Sequence, residues 1–117
     1  MRHGNIIVSR DGFEVIRLDG MQTQSMKERL GGLLVLEQIK TKQDLWITPC
    51  NSVHTFGMKY TLDLVYIDKN KRVCGLVEHV KPWRISFLLR AKAVMELMAG
   101  SIHNLNIQLG DSCIWQD

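Results

Sequence analysis

Cys50, His54 and Met58 stand at i, i+4 and i+8. In an extended strand that even spacing puts all three side chains on one face. Thiolate, imidazole and thioether together form the soft ligand set that suits Cu(I). Pro49 and Gly57 argue for irregular backbone here, which removes the shared face, and Met58 is accounted for as a core side chain. Cys50 with His54 is also a nucleophile and its base. An imidazole beside a thiol can take its proton near neutral pH, and the thiolate then attacks a carbonyl. That chemistry needs an oxyanion hole as well, and partners brought by the fold rather than by nearness in sequence. His54-Thr55 has a structural reading too. A ring N–H donated to a backbone carbonyl, with the Thr55 hydroxyl on a neighbouring turn, would make the pair a loop organiser.

Two charges further along belong to the same question. Glu96 interrupts the apolar run Val94-Met95-Glu96-Leu97-Met98. Facing inward it requires a partner, because an unpaired buried carboxylate is costly. Arg84, just after Pro82-Trp83, is a candidate for that role. If both line a pocket with His54, the pocket suits a polar or anionic small ligand. Asp63 reads as a structural cap or ion-pair member, and Lys59 and Lys92 as solvated charges.

The elements that position these residues are mostly strands. Asn5–Val8 and Phe13–Leu18 flank Asp11-Gly12, a strong hairpin signal. Ser25-x-x-Glu28 has capping-box spacing. Met26, Leu30, Leu33 and Leu34 then follow at helical intervals, which predicts a helix over residues 22–34. After a polar loop at 40–44, Leu45–Thr48 is a short strand ended by Pro49. Leu62–Asp68 and Arg72–Val77 form the best hairpin, turning at Lys69-Asn70-Lys71. Leu62–Asp68 is apolar on both faces, so it is expected to be central. Ala93–Met98 is a strand, Ser101–Asn106 a helical turn capped by Ser101, and Ser112–Trp115 the last strand. The pattern predicts one mainly β (α+β) domain over residues 1–117. The architecture is a small β-sandwich or partly closed barrel with one packed helix and a short second helical turn.

Bulk composition narrows the function classes. The 117 residues suffice for one hydrophobic core. Fifteen basic against twelve acidic residues give +3, a mild excess with no interleaving of aromatic and basic residues of the RNA-binding kind. Nucleic acid is therefore not expected as a partner. Three cysteines, Cys50, Cys74 and Cys113, with no C-x-x-C spacing, argue against a disulfide framework or structural zinc. Reduced thiols in the cytoplasm are expected. Nothing resembles a signal peptide or membrane span.

The stretch Pro49–Asp68, PCNSVHTFGMKYTLDLVYID, resembles the segment P-C-x-S-I-H-T-F-G-M-x-x-P-I-D-V-V-F-L-D of the DUF192 (UPF0127) family. Further landmarks follow in family order. Arg29 with Gly32-Leu33-Leu34 is similar to R-x-x-G-L-L, and Lys81-Pro82-Trp83-Arg84 to K-P-W-R. Glu96-Leu97-Met98-Ala99-Gly100 is similar to E-L-P-A-G, and Ile107-Gln108-Leu109-Gly110-Asp111 to the G-I-x-x-G-D ending. Thr61 and Met98 stand where the family often has Pro, and Asn106 where it has Gly. The resemblance implies a compact β-rich domain and no assigned reaction. Taken together, the expectation is a non-catalytic domain with a polar site at the PCNSVHTFGM loop. Cys50, His54, Thr55, Arg84 and Glu96 would bind a small molecule or a protein partner, without a cofactor. The alternatives are a Cys50/His54-dependent hydrolase or transferase and, third, copper binding.

Overall fold

The computed structural model describes residues 2–23, 44–56 and 58–117. Nine strands and one helix are assigned within them: β1 (Arg2–Arg10), β2 (Phe13–Thr23), β3 (Asp44–Ile47), β4 (Ser52–His54), β5 (Leu62–Asp68), β6 (Val73–Val80), β7 (Ile85–Phe87), β8 (Ala91–Met98), α1 (Ser101–Leu105) and β9 (Ser112–Gln116). Seven strands form a mixed sheet in the order β6-β5-β8-β3-β2-β1-β9, and β4 pairs with β7 in a separate ribbon. All neighbours are antiparallel except β2 and β3.

The sheet rolls until its two edge strands meet. Arg72, just before β6, bridges Ser112 of β9. Around the bridge, the Val73 N–H donates to the Asp111 carbonyl and the Cys113 N–H to the Lys71 carbonyl, both at 2.8 Å. Among the described residues this is the only bridge between the edges, so the sheet is not closed, and the domain is β-rich α+β, as the strand pattern predicts. Strand pleating sends alternate side chains to the two faces. Ile6, Val8, Trp46, Val65, Ile67, Met95, Leu97 and Cys113 fill the inside, where Ile102 and Ile107 join them. On the outer face of β5 and β8, Leu64, Tyr66 and Val94 pack beneath Val53 of β4. Leu45, Ile47, Met58 and Leu62 continue that layer. β5 is therefore buried on both faces and hydrogen-bonded on both sides.

Turn chemistry explains the hairpins. Asp11 and Gly12 both have positive φ (54° and 81°), as a two-residue turn compatible with strand twist requires. At the β5–β6 turn, Asp68 Oδ1 accepts the N–H groups of Asn70 and Arg72. Lys71 takes the left-handed conformation there. Asn106 ends α1 at φ 55°, ψ 45°, a conformation that Asn tolerates.

Three expectations change. Gly100, not Ser101, occupies the N-cap of α1, and no side chain of its own caps it. The cap comes from a distance, since Asp63 Oδ2 accepts the Ile102 N–H at 2.9 Å. Gln22 and Thr23, expected to open a helix, are the last residues of β2, where pairing with Trp46 and Ile47 overrides the helical pattern. The remainder of that helix lies outside the described residues, as do Arg29 and Gly32-Leu33-Leu34. Finally, the β4–β7 ribbon was not expected.

The buried Asp111 shows how the last loop is pinned. Arg10 donates to both its oxygens at 2.8 Å, and the Gln108 N–H donates at 2.9 Å. Burial pushes its pKa up, but these donors outweigh burial and hold the carboxyl below its ordinary range.

Candidate functional site

Thr55 is fully buried and is the hub of the loop. Its N–H donates to the Arg84 carbonyl at 2.9 Å, and its carbonyl accepts the N–H groups of Met58 and Trp83. Its hydroxyl donates to the Lys81 carbonyl at 2.7 Å and accepts the Arg84 N–H at 2.9 Å. One short side chain thus ties the PCNSVHTFGM loop to Lys81–Arg84. The loop-organiser expectation describes Thr55 and not His54. The His54 ring makes no hydrogen bond among the described residues, and its Nδ1 is buried without a partner.

His54 instead begins an aromatic row. Its ring lies 5.5 Å from Phe56, and Phe56 stacks on Trp83 at 5.5 Å and 28°. Trp83 sits at φ 64°, a rare conformation for a bulky residue, and is 66% exposed. The adjoining ribbon adds to this row. Val53 and Ser86 point inward, and Ser86 accepts the Tyr66 hydroxyl at 2.7 Å. Their neighbours Ile85 and Phe87 face solvent, at 67% and 65% exposure, and Ile85 pairs with His54. The outward residues of a strand are normally its polar ones. Here they are apolar, and Ile85 lies opposite His54, which adjoins the exposed Phe56–Trp83 stack.

The other site candidates are not gathered at that face. Cys50 donates its thiol proton toward the Ser52 carbonyl, with Sγ 3.0 Å from the oxygen. It lines a shallow hollow of about 230 Å³ with Pro49, Asn51, Ala91 and Lys92. Met58 is a core side chain beside Leu45, Ile47 and Leu62, and β4 ends at His54, so the i, i+4, i+8 spacing does not form a common strand face. Glu96 is buried in β8 between its cross-strand neighbours Leu64 and Leu45. Arg84 is not its partner: the exposed guanidinium lies 3.4 Å from the Trp83 carbonyl. Cys50 and Glu96 do meet in one respect. Burial raises the Tyr66 pKa first, and both of these groups raise it further.

Comparison with known proteins places this arrangement. The model of the DUF192 family, described as an uncharacterised ACR, matches residues 7–115. The chain belongs to the DUF192 family. UPF0127 proteins of Pyrococcus furiosus and Thermococcus sibiricus are 35% identical over 65 residues and 32% identical over 66 residues. These alignments cover 55% and 56% of this chain, and 55% and 42% of those proteins. The chain thus spans about half the length of the curated relatives it matches. Two solved structures share the DUF192 fold over 97% of the chain at 16% identity. One is a Novosphingobium aromaticivorans protein of unknown function (TM-score 0.81, 85% of that chain). The other is a Sinorhizobium meliloti protein provisionally described as a transcription regulator (TM-score 0.82, 94% of that chain). No described helix is long and apolar enough to cross a membrane.

The apolar face was missed at the sequence level, although a signal exists. Residues 79–92, HVKPWRISFLLRAK, hold Lys81, Arg84, Arg90 and Lys92 but no acidic residue.

None of the three cysteines forms a disulfide. Burial, helped by Asp111, pushes the Cys113 thiol up to about 12. Iodoacetamide should therefore modify the buried Cys113 only in denaturant, and a non-catalytic Cys50 should react no faster than Cys74. Modification of Cys50 about tenfold faster than Cys74, with a depressed pKa, would restore the nucleophile reading.

Proposed function

We propose that this DUF192 chain is a non-catalytic binding domain whose binding face is the exposed row of Trp83, Phe56, Ile85 and Phe87. The occupant is a protein segment that presents apolar side chains flanked by Asp or Glu. One observation carries the reading. A fully buried threonine spends its hydrogen bonds on a loop that holds Trp83 in a strained backbone and aims its ring at solvent. Strain of this kind persists only where the surroundings enforce it, and it concentrates at functional positions. Rigid aromatics beside arginine are the usual anchors of protein interfaces. The charge of residues 79–92, basic without an acidic member, supplies complementarity to an acidic rim.

The test is selection from a random peptide display library, followed by affinity measurement. Selected peptides should combine apolar and acidic residues. Trp83→Ala should weaken them at least about tenfold while stability stays within about 0.5 kcal/mol, as for an exposed site. Arg84→Glu should weaken them too. Peptides that bind Trp83→Ala as well as the unmodified protein would refute the reading. So would a selection that yields nothing while the protein adsorbs to phosphatidylglycerol vesicles, which would assign the face to a lipid surface.

A further inference from the structure

A second feature lies at the end of the barrel where β2, β3 and β5 finish and β8 begins. It is independent of the aromatic face. A cavity of about 380 Å³ opens there, lined by Trp46, Trp115, Gln22, Ile67 and Ala93 and ringed by Lys69, Lys71 and Lys92. Its walls follow from the sequence. Gly4 and Gly20 face each other across β1 and β2. A Cβ on Gly4 would lie 2.4 Å from the Trp115 ring, and one on Gly20 would lie 2.9 Å from Ile6 and 3.1 Å from Trp115. The indole therefore packs against a patch of bare backbone. It leans toward Trp46 at 6.4 Å and 44°. The two glycines make room for the Trp115 ring, and the small Ala93 leaves space in the cavity beside it.

The rim is electrically one-sided. Lys69, Lys71 and Lys92 are exposed, and none has an ion-pair partner among the described residues. The one carboxylate among the described lining residues, Asp68, accepts the two N–H groups of its own turn. Lys71 is held at φ 63° by that turn, which fixes its Cα direction. A pocket with a tilted pair of indoles within and three ammonium groups at its lip recognises two things at once. The half-buried Trp115, backed by the buried Trp46, offers surface to a ring, and the lysines attract negative charge.

We infer that this end of the barrel binds a small organic anion carrying a ring, a phosphate ester or a free carboxylate of an aromatic or a sugar. The ring packs against Trp115, close enough to the buried Trp46 beneath to perturb its indole, and the anionic group sits among Lys69, Lys71 and Lys92. A volume of about 380 Å³ is at the small end of ligand pockets.

Indole N–H resonances test this, because the three tryptophans divide between the two features. Phenyl phosphate, glucose 6-phosphate and inorganic phosphate are titrated separately into isotopically labelled protein. Phenyl phosphate or glucose 6-phosphate should move the Trp46 and Trp115 signals saturably and leave Trp83 in place. Whichever of the two binds more tightly identifies the ring. Inorganic phosphate should bind at least about tenfold more weakly than the better ester. Lys69→Glu and Lys92→Glu, both at exposed positions, should each weaken the ester several-fold without changing the fold. Saturation by inorganic phosphate at the same concentration would overturn the ring assignment. Unchanged affinity in both variants, or no saturable shift with either ester up to about 10 mM, would overturn the site. None of the overturning outcomes depends on Trp83, so failure here leaves the binding face untouched.

Discussion

Asp63→Ala should destabilise the domain by about 3–5 kcal/mol, measured by urea unfolding. Asp63 has no exposed surface. Its Oδ1 accepts the His79 N–H and its Oδ2 the Ile102 N–H, both at 2.9 Å. His79 sits at φ 56°, where the β5–β6 register shifts, so its N–H has left the ladder. The Ile102 N–H belongs to the first turn of α1, where backbone donors have no helical partner and negative charge is favoured. Hydrogen bonds to a charged group contribute about 1.5–3 kcal/mol each. Removing the carboxylate leaves the buried Ile102 N–H and the part-buried His79 N–H without their acceptor. Asp63→Asn retains one good acceptor and turns an NH2 toward the other donor, so its loss should lie between alanine and the native residue. A loss below about 1 kcal/mol for Asp63→Ala would mean that water reaches both N–H groups.

Leu64→Ala should cost about 2–5 kcal/mol, the range for truncating a fully buried leucine. Leu64 is 0% exposed and packs with Val53, Tyr66, Val80, Ala91 and Val94. The hydrogen-bonded strands on both sides of β5 cannot close over the void. Ile85→Ala is the control, since its side chain already faces solvent. It should change stability by no more than about 0.5 kcal/mol. Equal losses in the two variants would contradict the layering described above.

These effects separate what patterning reveals from what it conceals. The centrality of β5 was legible because six successive residues, Leu62–Ile67, are buried, and an almost unbroken apolar run is what a two-sided strand requires. The structural role of Asp63 was legible in kind, though its two donors come from β6 and α1, elements whose approach no local pattern encodes. Thr55 was legible as a loop residue because a short hydroxyl beside Pro and Gly favours local hydrogen bonds. The Arg84–Glu96 pairing failed because nearness was inferred from charge alone. Arg84 lies outside the small ribbon, and Glu96 lies beneath the outer layer of the sheet. β7 was hidden because its alternation is inverted, with apolar residues outward, and it reads as an amphipathic strand only once the face it covers is known. The cavity was also hidden. Gly4, Gly20 and Trp115 come from three strands, and their complementarity exists only in the folded register.

The pairing of β1 with β9 bears on how the molecule is made. Asn5 lies opposite Gln116 and Val8 opposite Cys113, so β1 gains its second neighbour from the most distant part of the described chain. During synthesis the first strand leaves the ribosome early and can form its hairpin with β2 at once. Its other side then stays unpaired until β9 emerges. Contacts of such long sequence separation slow folding, because a large loop must close before they form. An unpaired strand edge is a template for aggregation during that interval. Polar Asn5 and Ser9 and basic Arg10 on β1 fit a strand that must wait in water for its partner.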